Sequence, residues 1–79
     1  MLGASKSQLI AAALESEIRA GKVSRGDLLD SETALVRRFE VSRNTVRRGL
    51  EILAGKGLIT TRTGIGSFVT YEGETIDDS

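Results

Sequence analysis

The 79-residue sequence has neither cysteine nor histidine, and only three aromatic residues, Phe39, Phe68 and Tyr71. Without cysteine no disulfide can form. Without cysteine and histidine together there is no zinc site of the thiolate or imidazole kind and no Ser/His or Cys/His nucleophile pair. The few aromatics fit core or strand positions, leaving only Tyr71 as a free anchor, whereas surfaces that stack single strands or grip proteins use several. Long apolar runs are also missing. The stretch from Leu9 to Leu14 is far shorter than the roughly 18 residues a membrane span needs, and no basic start precedes a secretory core. A cytoplasmic location with no membrane partner is therefore expected. So short a chain hides only about 60% of its unfolded surface. That leaves room for a single core, with stability drawn from packing.

The formal net charge is zero, but the charge is unevenly spread. Residues 1–36 carry four cations against five acids, residues 37–62 carry seven cations against two acids, and residues 63–79 carry four acids and no cation. A basic centre thus lies between acidic ends, and overall neutrality does not argue against a nucleic-acid partner.

From Lys6 to Ala20 the apolar residues Leu9, Ile10, Ala13, Leu14 and Ile18 recur every three or four positions, and Gly21 follows where a helix end favours glycine. This pattern predicts a first helix. Val23 to Leu29 reads as an irregular connector that turns at Gly26-Asp27 and tucks Leu28 and Leu29 into the core. Asp30-Ser31-Glu32 is a start signal, with a capping oxygen followed by an acid that suits the helix dipole, and Leu35, Val36 and Phe39 form the buried stripe of a second helix. Ser42 caps a third, whose inward face is Val46, Gly49, Leu50 and Leu53. Only Glu40, Val41 and Ser42 separate these two helices, the spacing of a helix-turn-helix. Gly55 and Gly57 stop the third helix. Two β-branched and aromatic runs follow, Leu58 to Arg62 and Ser67 to Tyr71, joined by Thr63-Gly64-Ile65-Gly66 as a hairpin loop. The predicted fold class is α+β, a winged helix-turn-helix of three helices followed by a two-stranded β-hairpin wing. It spans residues 1–71, with an acidic and disordered tail or start of a linker at 72–79.

On a helical wheel Arg43, Asn44, Arg47, Arg48 and Glu51 face away from Val46, Leu50 and Leu53. A helix-turn-helix brings the N-terminal part of its second helix to base edges, where arginine pairs with guanine and asparagine with adenine. Backbone amides at the Ser42 cap also suit a phosphate oxygen. The plainer reading is a solvated face with helix-spaced ion pairs such as Arg47 with Glu51. Arg37 and Arg38 end the second helix, where cations suit the dipole, and phosphate contact is the other reading. Arg62 at the wing either reaches DNA or is simply an exposed base of a turn that Gly64 makes possible. Gly64-Ile65-Gly66 is not a nucleotide loop, because Val69 stands where a third glycine is required and no helix follows. The acids lack a catalytic setting, so no enzyme, cofactor or metal is expected.

The string Arg38-Phe39-Glu40-Val41-Ser42-Arg43-Asn44-Thr45-Val46-Arg47-Arg48, with Asp30-Ser31-Glu32 before it and Gly57-Leu58-Ile59 and Gly64-Ile65-Gly66-Ser67-Phe68-Val69 after it, resembles the N-terminal domain of GntR-family regulators over residues 7–70. The resemblance implies a homodimer on a palindromic DNA operator and a C-terminal domain, lacking here, that binds a small-molecule effector, and repression by occlusion is the output expected of such a binder. Without that domain a monomer or weak dimer is expected. By matching position the resemblance implicates Ser42, Arg43, Asn44, Thr45 and Arg47, with Gly64 at the wing. Arg38 and Arg62 complete the candidate DNA-binding set from their positions in the helix-turn-helix and the wing. The family commonly has proline where Asp30 stands, a basic residue where Thr33 stands and glycine where Glu40 stands. Thr33 thus offers at most a hydroxyl hydrogen bond. Glu40 is strained if the turn is left-handed, at a cost of about 1–2 kcal/mol. The rival reading from another class is a winged-helix protein-interaction module without sequence-specific DNA binding.

Overall fold

The computed structural model describes residues 5–71. Helix α1 (Lys6–Arg19) opens on a capping box in which the Ser5 hydroxyl accepts from the Gln8 amide and the Gln8 side chain accepts from the Ser5 amide. Helix α2 (Glu32–Phe39) is capped by the Ser31 hydroxyl, which accepts from the Ala34 amide. Helix α3 (Arg43–Gly55) is capped in the same way by Ser42, which accepts from the Thr45 amide. Short polar side chains outside each first turn satisfy amides that have no partner within the helix. The turn from α2 to α3 is left-handed at Glu40 (φ 57°, ψ 50°), so the strain foreseen there is present.

Strands β1 (Ile59–Arg62) and β2 (Gly66–Val69) pair antiparallel, with Ile59 opposite Val69 and Arg62 opposite Gly66. The hairpin closes where the Ile65 amide donates to the Arg62 carbonyl at 3.1 Å, with Gly64 at φ 80° in the turn position that demands positive φ. Three helices followed by a two-stranded hairpin make the winged helix-turn-helix foreseen from the sequence. The acidic segment 72–79, expected to be disordered, lies outside the described residues.

Three local expectations are corrected. The connector before α2 is not wholly irregular. Leu28 forms an antiparallel bridge with Phe68, the Leu29 amide donates to the Ser67 carbonyl at 2.8 Å, and the Val69 amide donates to the Asp27 carbonyl at 2.9 Å. A third extended segment thereby covers the free edge of β2. Extended backbone alternates its side chains, so Leu29 packs on the core while Leu28 stays 54% exposed, and both cannot be buried. On α1 the buried row is Ile10, Ala11, Leu14 and Ile18, leaving Leu9 58% exposed.

The reason lies in the crossing of α1 over α3. Gly49 of α3 lies so close to α1 that a Cβ there would meet Ile10 Cγ2 and the Ser7 carbonyl oxygen at 3.1 Å each. This contact, with the Ser7 hydroxyl donating to the Thr45 carbonyl at 3.2 Å, turns Ile10 rather than Leu9 inward. Val46, Leu50 and Leu53 of α3 meet Leu35 of α2 and Leu58, Ile59 and Val69 of the hairpin in one cluster with α1. Val36 and Phe39, read as part of a buried stripe, are only partly covered at its margin. Of that stripe Leu35 alone is fully buried.

Candidate nucleic-acid interface

Burying Val46, Gly49, Leu50 and Leu53 fixes the roll of α3 about its axis, and the polar residues at intervening positions point outward. Ser42, Arg43, Asn44, Arg47 and Arg48 are exposed, while Thr45 is half-buried, with its hydroxyl 2.9 Å from that of Ser42. Arg47 and Glu51, one helical turn apart, form a ridge between two shallow grooves. On one side Arg43 looks toward the wing, across a groove whose far wall includes Arg62, Gly64 and Ile65 and whose floor includes Ser31 and Thr33 of the α2 start. On the other side Asn44 and Arg48 look toward the first turn of α1, with Ser7 and Gln8.

The strongest polar feature of the first groove was not foreseen. Glu32, at the start of α2, accepts from Arg43 Nη1 at 3.1 Å and from Arg47 Nε at 3.1 and 3.2 Å. The helix-spaced partner suggested for Arg47, Glu51, forms no ion pair with it. Glu32 reaches Arg47 first because the turn at Glu40 lays the α2 start beside α3, a proximity that spacing along one helix cannot reveal. The Arg47 hydrogen bond, followed by that of Arg43, holds the Glu32 carboxyl below the usual glutamate range against the opposing effect of partial burial. The sequence marked Glu32 only as an acid suited to the helix dipole.

The candidate residues do not all converge. Ser42, Arg43, Asn44, Thr45 and Arg47 gather at the α3 start, and Arg62 and Gly64 stand opposite on the wing. Arg62 is exposed and forms no ion pair with a described residue. Arg38 sits apart, outside the lining of both grooves. Its guanidinium pairs with Glu17 of α1, lies 3.6 Å from Asp30, and stacks over the Phe39 ring at 5.0 Å. Those contacts tie α2 to α1. Among the described residues no cluster of acids could hold a metal ion, and no helix is long and apolar enough to cross a membrane.

Comparison with known proteins places this arrangement. The model of the family described as bacterial regulatory proteins, gntR family, matches residues 6–69. The chain is 45% identical over 62 residues to the probable transcriptional regulator PhnF of Escherichia coli (strain K12), an overlap of 78% of this chain and 25% of PhnF. The possible transcriptional regulator YydK from Bacillus subtilis subsp. subtilis str. 168 superposes with a TM-score of 0.82 at 35% identity, covering 91% of this chain and 32% of YydK. The DNA-binding domain of AraR, solved in complex with operator ORX1, superposes with a TM-score of 0.82 at 31% identity, covering 89% of this chain and 82% of that one. The chain spans about a quarter of the length of the curated relatives it matches. With a family model matching nearly the whole described chain, and the same fold and helix-turn-helix in its relatives, the chain belongs to the gntR family of bacterial regulatory proteins.

Proposed function

We propose that this domain binds double-stranded DNA sequence-specifically, as the operator-binding part of a bacterial transcription regulator. One observation carries the reading: the exposed start of α3 presents Arg43, Asn44 and Arg47 beside a wing that carries Arg62, in a fold that AraR's domain uses on its operator. An α-helix fits the major groove, where an arginine fork matches guanine O6 and N7. Arg47 gives its Nε to Glu32 and keeps both terminal amino groups free, so the salt bridge orients the fork without consuming it. Arg43 and Arg47 read bases. Ser42, Asn44 and Thr45 support them at bases or phosphates, and Arg62 with Gly64 brings the wing to the backbone. Arg38 is a structural residue in this scheme, because its charge is committed to Glu17 and Asp30.

In the whole regulator we place two such domains on a palindromic operator, repressing by occlusion in the cytoplasm, with any small-molecule effector bound by another domain. The domain itself is a binding module and not an enzyme. Titrating a palindromic duplex from the regulator's own upstream region against Arg43→Ala and Arg47→Ala tests the base readout. Each substitution is expected to cost about 1–3 kcal/mol and to relax specificity at one position of each half-site. If both variants bind as tightly as the parent at about 0.1–0.2 M salt, where phosphate attraction is weakened, the assignment is wrong.

A further inference from the structure

The cations around α3 fall into two groups. Arg43 and Arg47 share the Glu32 carboxylate, and Lys56 pairs with Glu15 at 2.9 Å. Arg48 is exposed and has no hydrogen-bond or ion-pair partner among the described residues. It lies on the flank of α3 away from the wing, in the second groove, with Asn44 one turn before it and the first turn of α1 as the facing wall. That wall competes little for a ligand. The Ser5 hydroxyl and Gln8 Oε1 accept within the capping box, and the Ser7 hydroxyl donates to the Thr45 carbonyl. Glu51 is the groove's single acid, one turn further from the α3 start than Arg47.

The dimensions of DNA give this flank a role. A helix about 10–12 Å across fills a major groove about 12 Å wide, so each flank of an inserted helix faces one of the two sugar-phosphate backbones. The wing with Arg62 serves one flank. We propose that Arg48, with Asn44 beside it, contacts a phosphate of the opposite backbone, so that α3 is held from both sides. An unpaired guanidinium gives up no internal salt bridge on meeting a phosphate, and it brings a charge-assisted hydrogen bond. The inference rests on the DNA-binding reading above and adds a residue and a strand to it.

The experiment measures affinity against salt for the domain as it stands, on a palindromic duplex and on a scrambled duplex of equal length. The parent's salt slope on the scrambled duplex comes first, because its absence would sink the DNA-binding reading altogether. Given that slope, Arg48→Gln is expected to shrink it by about 0.9, the value of one lost phosphate contact. At 0.15 M salt that corresponds to about fivefold weaker binding on both duplexes, with their ratio unchanged. Arg48→Lys should restore the slope. Lys22→Gln, past the far end of α1 from this groove, should leave it at the parent value. The proposal is overturned if Arg48→Gln keeps the parent slope, if it matches the change made by Lys22→Gln, or if it weakens the palindromic duplex alone.

Discussion

The inward side of α3, Val46, Gly49, Leu50 and Leu53, is packed so tightly that a Cβ at Gly49 would lie 3.1 Å from both Ile10 Cγ2 and the Ser7 carbonyl oxygen, so that α1 would have to give by a few tenths of an ångström. Its outward side, Arg43, Asn44, Arg47 and Arg48, is exposed, and Arg43 and Arg47 reach the rest of the fold through one carboxylate, Glu32. The two sides differ in what a substitution can do. Close packing transmits every added methyl to the neighbouring backbone. Exposed ion pairs contribute about 0–1 kcal/mol and are screened by salt. One helix can therefore carry stability on one face and recognition on the other, each open to change without the other.

Three substitutions break or sharpen that contrast. Gly49→Val has the largest expected effect, about 1–3 kcal/mol of destabilisation in thermal or urea unfolding, because its Cβ meets the Ser7 backbone oxygen rather than a flexible chain end. Full retention of stability would show that α1 can slide, and the two faces would not be as distinct as their packing suggests. Glu40→Gly comes next and runs the other way. Relief of a left-handed backbone at an exposed, non-glycine position should raise stability by about 1 kcal/mol, after allowance for the floppier unfolded chain. The same melts measure it, and a loss of stability would mean that Glu40 makes a compensating contact.

Glu32→Gln is expected to change stability least, by less than about 1 kcal/mol at neutral pH. Its effect depends on pH with a definite sign. Because the folded carboxyl titrates below its ordinary value, its contribution is complete above about pH 4.3, where the unfolded glutamate is ionised, and is lost as pH falls through the lowered folded value. The gap between parent and variant should close on the acid side of that point in unfolding curves taken from pH 7 to pH 3. A gap that persists unchanged at pH 3 would show that the carboxylate's charge is not what matters. The variant also frees Arg43 and Arg47 to sample other rotamers, so its specificity ratio should fall more than its affinity for scrambled DNA.

The α3 start was legible because every cue for it is local. Ser42 sits before the first turn, the three-residue joint follows α2 directly, and the inward residues repeat with the helical period. Glu40's left-handed backbone was also legible once the family resemblance marked its position as one for glycine. The Leu28 bridge was not, because it pairs residues far apart in the chain and no periodicity within Val23 to Leu29 announces a partner. The partners of Arg38 were hidden for the same reason: its place at a helix end allowed either a dipole role or a phosphate contact, and only folding sets it against Glu17 and Asp30.

Residue order alone determined the Ser31 and Ser42 caps, the inward row of α3, the glycine turn of the wing and the basic character of the α3 surface, since capping, helical period and positive φ act over a few residues. Only the tertiary structure decided which of those cations are already paired. Glu32 reaches Arg43 and Arg47 across the turn, and Arg48 and Arg62 are left open on opposite flanks. Charge pairing depends on distances of a few ångströms between elements, and those distances exist only once α1, α2 and the hairpin have packed around α3.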